Sequence, residues 1–138
     1  LIPATGFFEW QHINKEKIPH HIFLKNRKLF SFAGIWSTYK QESGTELNTY
    51  SIITSEADDF MANIHNTKKR MPVILEQNEE KEWLSNDISD VDIGQLIRKK
   101  THPFESYTIS KSLGNPKINT NVKEILDEVN YGTLNFSK

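Results

Sequence analysis

Residues 51–75, SIITSEADDFMANIHNTKKRMPVIL, contain a strand pattern, a helix pattern and a second strand pattern in succession. The β-branched run before the helix and the run RMPVIL after it predict strands. The apolar residues between them follow the i, i+3, i+4, i+7 spacing of an amphipathic helix: Ala57, Phe60, Met61 and Ile64. Thr54 or Ser55 is predicted to cap this helix, and His65 to end it.

Upstream, the sequence predicts an extended segment followed by a hairpin. Residues 1–10, LIPATGFFEW, read as an extended segment that Pro3 and Gly6 interrupt. PHHIFLK and KLFSFAGIW read as the two arms of a hairpin that turns at Asn26 and Arg27. The second arm is apolar on both faces, which predicts a central strand covered from both sides. Gly34 within that arm predicts a bulge or a close backbone approach.

Downstream, strands and helices alternate irregularly. NTYSIIT and SYTIS predict strands. Short helices are predicted near residues 79–84, after Asp90 as a cap, and over residues 122–129 before Gly132. The 138 residues fit one domain, 1–138. The predicted class is α+β, with a mostly antiparallel, barrel-like sheet and flanking helices.

Composition excludes several classes of protein. Hydrophobic residues make up 36% and charged residues 25%, a balance typical of a folded domain. The net charge of −1 gives no global basic field, so an anion site would have to be a local patch. No cysteine is present, which excludes disulfides and thiolate metal sites within this chain. No apolar run is long enough to cross a membrane, and a cytoplasmic, nucleoid-associated protein is expected.

Glu9 is the first candidate for chemistry. It stands in an aromatic stretch, between Phe8 and Trp10 and close to Phe7. A carboxylate walled by aromatic rings loses hydration, which favours its protonated form and suits it to proton exchange. The alternative is a glutamate on an edge strand that points to water.

His65 is the second candidate, because imidazole is well suited to moving protons near neutral pH. A histidine at a helix C-terminus can also serve only as a favourable partner for the helix dipole. Lys68, Lys69 and Arg70 follow His65 in one short loop. This basic loop is either a solvated loop or a phosphate-binding loop beside a proton-transfer residue.

Other residues carry weaker signals. His12, His20 and His21 do not predict a metal site, because neighbouring strand residues point to opposite faces. No cofactor is predicted, since the sequence contains no glycine-rich phosphate loop and no dinucleotide-binding fingerprint. The three tryptophans are predicted to be core residues, Trp10 least clearly: Trp10, Trp36 and Trp83.

Three segments in one order resemble the SOS response-associated peptidase (SRAP) family: LIPATGFFEW, FSFAGIW and SIITSEADDFMANIHNTKKRMPVIL. The resemblance covers residues 1 to about 84, and SYTISKSLGNPKIN is similar to the family's closing segment. It implies a sensor of abasic sites in single-stranded DNA. In that family an N-terminal cysteine forms a thiazolidine with the ring-opened sugar, a DNA–protein crosslink that protects the lesion.

The resemblance also implies roles for particular residues. Glu9 corresponds to a glutamate that donates and accepts protons, and His65 to a histidine that assists ring opening. The expected DNA-binding residues are Arg70, Lys69, Lys68, Thr54 and Trp10. Single-stranded DNA with abasic sites is the expected partner, and neither a metal nor a membrane is expected.

Two departures from the family pattern shape the remaining expectations. The family spacing H-x-R-M-P is here HNTKKRMP, so three extra residues must loop out after His65. The family's N-terminal cysteine and an active-site asparagine lie upstream of LIPA and are absent here. We therefore expect a C-terminal portion of a longer domain that cannot form the crosslink alone. Its unpaired strand edges are expected to make it associate or recruit the missing N-terminal part.

Two other functions remain open at this point. One is a cysteine-type peptidase or self-processing hydrolase, as the family name suggests, whose nucleophile this chain lacks. The other is a non-catalytic module that binds single-stranded nucleic acid. Codons for Met-Cys at the true start of the gene would favour the crosslinking sensor.

Overall fold

Ten short strands and three short helices lie within residues 1–132, the part of the chain that the computed structural model describes. The strands are β1 Ile2–Ala4, β2 Phe7–Ile13, β3 Glu16–Leu24, β4 Phe30–Phe32, β5 Gly34–Lys40, β6 Glu46–Ile52, β7 Thr54–Glu56, β8 Arg70–Pro72, β9 Ile74–Leu75 and β10 Phe104–Thr108. The helices are α1 Asp59–Ile64, α2 Glu79–Trp83 and α3 Asp90–Leu96, and 3₁₀ turns span Lys111–Gly114 and Lys123–Leu126. None of these helices is long and apolar enough to cross a membrane.

All strand pairs in residues 1–132 are antiparallel, and they form four small sheets. The sheet orders are β1-β4-β9, β10-β3-β2, β5-β6 and β7-β8. The α+β, mostly antiparallel prediction is therefore confirmed. The four sheets do not close into one barrel within these residues, so the barrel-like arrangement is not seen.

The hairpin prediction was wrong about which strands pair. β3 pairs with β2, and the two join at a tight turn where Asn14 adopts a left-handed φ of 56°. The predicted second arm, β4, pairs with β1 and β9 instead. The predicted turn at Asn26 and Arg27 retains a single bridge, between Leu24 and Arg27. A turn does form at Asn26 and Arg27, but β4 pairs with β1 and β9, which are distant in sequence, and not with β3.

The predicted central strand is in fact two strands in two environments. β4 is buried, whereas β5 is exposed, and the side chain of Trp36 retains 75% of its accessible surface. The predictions of a strand covered on both faces and of a core Trp36 were therefore wrong. The close approach predicted at Gly34 is confirmed, because a Cβ there would lie 2.6 Å from Ile2 Cδ1.

The main core joins side chains from the sheets and from α1. Its buried members are Ile22, Leu24, Phe30, Phe32, Ala57, Met61, Ile64, Met71, Ile74 and Phe104. Asp58, not Thr54 or Ser55, caps α1: its buried Oδ1 accepts a hydrogen bond from Met61 N at 2.8 Å. Thr54 and Ser55 belong to β7, which places them before the helix. His65 ends α1 as predicted.

Two predictions for the C-terminal half also needed correction. Ser89, not Asp90, caps α3 and accepts a hydrogen bond from Asp92 N. The predicted helix over residues 122–129 is only a 3₁₀ turn. Val129 explains why, since its N–H donates to Thr108 O at 2.8 Å and draws the segment alongside β10. This pairing competes with helical hydrogen bonds at the end of the segment.

Candidate functional site

Glu9 and His65, predicted as the reactive pair, lie together in the structure. Glu9 comes from β2 and His65 from the C-terminal end of α1. Glu9 Oε2 lies 3.7 Å from His65 Nδ1, and the side chains retain 23% and 17% of their accessible surface, respectively. The two groups are therefore half-buried but open to solvent, as proton exchange with a substrate requires.

The aromatic surroundings predicted for Glu9 are only partly correct. The β2–β3 register is continuous from Phe7 to Ile13, so successive side chains alternate between the two faces. Phe8 and Trp10 therefore lie on the face opposite Glu9, and only Phe7 shares its face. Glu9 is held at the strand edge because Trp10 N–H donates to Oε1 at 3.0 Å.

Hydrogen bonding fixes the orientation of the His65 ring. Nδ1 lies 2.8 Å from Arg70 O, and a carbonyl oxygen can only accept, so Nδ1–H donates. In the neutral ring the lone pair is therefore on Nε2. The same Nδ1 is 3.7 Å from Glu9, so the imidazolium form would lie beside a carboxylate. His65 is thus oriented to exchange a proton through Nε2.

The basic loop follows directly and is attached to His65. Lys68, Lys69 and Arg70 are exposed, and within residues 1–132 none has a carboxylate within 4.0 Å. Lys69 adopts a left-handed φ of 48°, and its N–H donates to His65 O at 2.9 Å. The loop therefore presents three exposed cations beside the imidazole, with Glu56 opposite Arg70 in the β7–β8 register.

Thr54 and Trp10, the other two predicted DNA contacts, lie in different places relative to this loop. Thr54 is exposed in β7, opposite Pro72 of β8, so it lies on the two-stranded sheet that Arg70 begins. Trp10 is half-buried, and its side chain points away from the face that carries Glu9. Contact of either residue with DNA stays a prediction.

A cavity of about 850 Å³ with mixed polar and apolar walls lies between the β10-β3-β2 sheet and α1. Its polar lining residues include Gln11, His20, Asn63, Ser106 and Thr108. His20 is directly opposite Glu9 on β3, and burial lowers its pKa, which favours the neutral ring. Neither ring nitrogen of His20 has a hydrogen-bond partner within the described residues. Sequence reasoning missed this environment, because it considered His20 only as a metal ligand.

The other two histidines do not join His20. His21 lies on the outer face of the sheet, where its Nδ1 is 3.0 Å from the hydroxyl of Tyr107. Burial lowers the pKa of His21 and raises that of Tyr107, where Glu128 and Asp127 add a smaller upward effect. His12 falls on the face of His21 in the β2–β3 register and lines the cavity at the sheet edge. His20 and His21 are neighbours on β3 and lie on opposite faces, so their expected separation is confirmed.

Comparison with known protein families identifies the family of this chain. The model of the SOS response associated peptidase (SRAP) family matches residues 1–116. This chain belongs to the SRAP family. The resemblance read from the sequence motifs is therefore confirmed.

Several relatives carry informative names. The abasic site processing protein YoaM of Bacillus subtilis is 40% identical over 134 residues, which cover 95% of this chain and 57% of YoaM. The abasic site processing protein HMCES of Xenopus tropicalis is 30% identical, with 87% of this chain and 41% of HMCES covered. The chain thus spans about half the length of the curated relatives it matches.

A solved structure supports the fold assignment. The crystal structure of a protein from Bacteroides thetaiotaomicron superposes with a TM-score of 0.83 at 36% sequence identity. The match covers 92% of this chain and 55% of that protein. The arrangement of strands and helices described above is therefore that of an SRAP-like fold.

Proposed function

We propose that this chain is part of a protein that recognises abasic sites in single-stranded DNA. The observation that carries the proposal is the 3.7 Å approach of Glu9 Oε2 to His65 Nδ1 beside an exposed basic loop. Relatives named abasic site processing proteins support it. The crosslink, the substrate and the residue roles are all parts of this proposal.

The proposed chemistry begins with the aldehyde of a ring-opened abasic sugar. An amine adds to the aldehyde to give a carbinolamine, which loses water to give an imine. The leaving oxygen needs a proton and the nitrogen must release one, and Glu9 and His65 are the groups proposed to exchange them. A thiol then adds to the imine carbon, and its proton passes to nitrogen, which closes a thiazolidine.

The nucleophile of this scheme must come from outside this chain. The sequence contains no cysteine, and an N-terminal cysteine would supply both the amine and the thiol. We therefore expect the chain by itself to form no covalent bond with abasic DNA. The residues described here would contribute proton transfer and phosphate binding.

Phosphate binding is assigned to the basic loop. Lys68, Lys69 and Arg70 are exposed, and within residues 1–132 none has a carboxylate within 4.0 Å. A lesion without a base offers little to read except its backbone and shape, so phosphate contacts should dominate affinity. Binding is therefore expected to weaken steeply as salt rises.

The proposed partners include the part of the domain that the longer relatives possess. The β5–β6 hairpin supports this, because it leaves 75% of Trp36 and 72% of Tyr50 exposed. Exposed apolar surface of this kind is typical of a surface that another chain segment covers. A cytoplasmic, nucleoid-associated location follows from the proposal and remains part of it.

The covalent step is tested with the complete gene product. Its coding sequence is expected to begin with Met-Cys upstream of Leu1, and the protein to give a shifted band with abasic single-stranded DNA on a denaturing gel. Glu9→Gln should slow formation of that band by about 100-fold or more, since general acid–base catalysis contributes at least this much. The present chain alone should give no such band, and a band from it would contradict the assignment of the nucleophile.

The phosphate-binding part is tested separately on the present chain. Changing both Lys68 and Lys69 to Gln should weaken binding of an abasic single-stranded oligonucleotide and reduce the salt slope by about 1.4, since each phosphate contact to a single strand contributes about 0.7. Fluorescence anisotropy at several salt concentrations measures both. Lys25→Gln with Lys28→Gln is the matched control, since both lysines are exposed just beyond Leu24, at the opposite end of β3 from its turn with β2. Equal losses in the two pairs would contradict the assignment.

The rival functions predict different outcomes of these experiments. A peptidase would cleave peptides and give no covalent band with abasic DNA. A non-catalytic binding module would bind single-stranded DNA in a Lys68- and Lys69-dependent way without a band, even from the complete gene product.

A further inference from the structure

Two side-chain amides join β2 to the C-terminal end of α1. Gln11 Nε2 donates to Asn63 O at 2.9 Å. Asn66 makes a reciprocal pair with the backbone of His12: its Nδ2 donates to His12 O at 2.8 Å, and its Oδ1 accepts from His12 N–H at 3.0 Å. The second pair uses both hydrogen-bonding groups of the asparagine amide.

This reciprocal pair takes the place of a neighbouring strand. β2 is the outer strand of the β10-β3-β2 sheet, so every second residue presents its N–H and C=O to the free edge. At His12 the Asn66 amide satisfies both groups, as a paired backbone would. Asn66 thereby fixes where the end of α1 lies along β2.

The attachment lies next to the proposed reactive pair. Asn66 directly follows His65, and His12 is on the same strand as Glu9. The 3.7 Å distance between Glu9 Oε2 and His65 Nδ1 exceeds a hydrogen bond, so that contact does little to hold the two groups together. α1 is only six residues long, and a helix of this length has little rigidity of its own.

We propose that Asn66 is a positioning residue that keeps His65 within reach of Glu9. The inference rests on the function proposed above for this pair. The reciprocal pair with His12 requires an amide, because a carboxylate has only acceptors. Asn66→Asp would keep the bond from His12 N–H but would bring two oxygens together at His12 O.

The experiment measures the influence of Glu9 on His65 without DNA. In ¹⁵N-labelled protein, Glu9→Gln should shift the His65 side-chain nitrogen resonances, assigned by their loss in His65→Gln. Asn66→Ala should reduce this Glu9-dependent shift by about half or more, the non-additivity expected of residues that act together. Asn66→Asp should reduce it by less.

Thr67→Ala is the matched control. Thr67 is exposed in the same loop, and the described residues give its side chain no hydrogen bond, so the Glu9-dependent shift should persist in full. Thermal unfolding of each variant separates a loss of positioning from a loss of stability. If Asn66→Ala does not fold, Asn66→Asp provides the comparison.

A full Glu9-dependent shift in folded Asn66 variants would overturn the inference, and so would the absence of any such shift in the unmodified chain. These outcomes are distinct from failure of the proposed function. If Asn66 controls the shift but the complete gene product does not capture abasic DNA, the positioning stands and the function fails.

Discussion

The corner formed by β2 and α1 differs sharply from the β5–β6 hairpin in what holds it in place. At the corner, hydrogen bonds such as that from Gln11 Nε2 to Asn63 O join residues 52 positions apart. In the hairpin, Thr38 Oγ1 donates to Asn48 Oδ1 and Thr49 Oγ1 donates to Ser37 O, both across its own two strands. The corner is part of a core, whereas the hairpin is held mainly by its own pairing.

Apolar composition therefore does not decide which region contributes most to the free energy of unfolding. The hairpin has three aromatic side chains, Trp36, Tyr39 and Tyr50, and all of them face solvent. Trp36 is exposed to 75%, whereas Phe30 of neighbouring β4 is exposed to only 1%. A two-stranded hairpin alone is marginal in water. Substitutions at the corner and in β4 are therefore expected to lower the free energy of unfolding more than substitutions in the hairpin.

The largest expected contrast is between two aromatic residues six positions apart. Phe30→Ala should lower the free energy of unfolding by about 3–5 kcal/mol, because it leaves a cavity in the core. Trp36→Ala should change it by no more than about 0.5 kcal/mol, the usual range for exposed positions. Urea denaturation measures both. If Phe30→Ala is unfolded outright, Phe30→Leu gives the comparison, and similar losses at both positions would abolish the distinction.

A smaller contrast compares two hydrogen-bonding side chains. Asp58→Ala should cost about 1–2 kcal/mol, since it removes the cap of α1. The Asp58 carboxylate also lies 3.4 Å from His102 N through Oδ2, and Asp58→Asn, which keeps an acceptor, should cost less. Thr38→Val removes an exposed bond within the hairpin and should stay within about 0.5 kcal/mol. Chemical denaturation of the three variants ranks them; a Thr38→Val cost equal to that of Asp58→Ala would contradict the comparison.

The smallest expected effect is a pH dependence of the free energy of unfolding. It originates outside the β5–β6 hairpin, because that hairpin contains no histidine. Burial lowers the pKa of His20 and is the main reason that the pKa of His102 is also lowered from 6.5. The unfolded chain then binds more protons, so stability is full above pH 6.5 and falls as pH drops below it. The loss levels off below the folded-state pKa values.

His20→Leu should reduce this loss between about pH 7.5 and 5.5, and His102 and His21, whose pKa values are also lowered, would account for what remains. Glu79 does not interfere. Burial raises the pKa of Glu79, but the hydrogen bond from Lys100 lowers it. The backbone N–H of Glu76 and the charges of Lys100 and His102 lower it further, so the net pKa lies below 4.5. Its contribution is therefore present above pH 4.5 and lost only at lower pH. Urea midpoints at several pH values measure the effect, and an unchanged pH dependence in His20→Leu would exclude His20 as its source.

The sequence predicts local structure correctly where all the residues that determine it are neighbours along the chain. The apolar stripe of α1, its end at His65 and the exposed loop that begins after it were all predicted from neighbouring residues. The family resemblance assigned proton-transfer roles to both Glu9 and His65, and the structure places them 3.7 Å apart. Their roles, and those of Lys68, Lys69 and Arg70, stay predictions.

Two of the errors share one physical origin. Asp58 caps α1 in place of Thr54 or Ser55 because β7 pairs with β8 and occupies those residues. Strand pairing also decided against the hairpin at Asn26. In each case a backbone partner far away in sequence determined the local structure, and no pattern within a short window records that partner.

By itself the sequence determined the class of fold, the helix that ends at His65 and the basic loop that follows, because these depend on side chains that are neighbours along the chain. Tertiary structure alone decided that Glu9 shares a face with Phe7, opposite Phe8 and Trp10, and that Asn66 pairs with the edge of β2. The reason is that strand register and edge pairing are selected by competition among distant backbone groups. Only the folded chain brings those groups together.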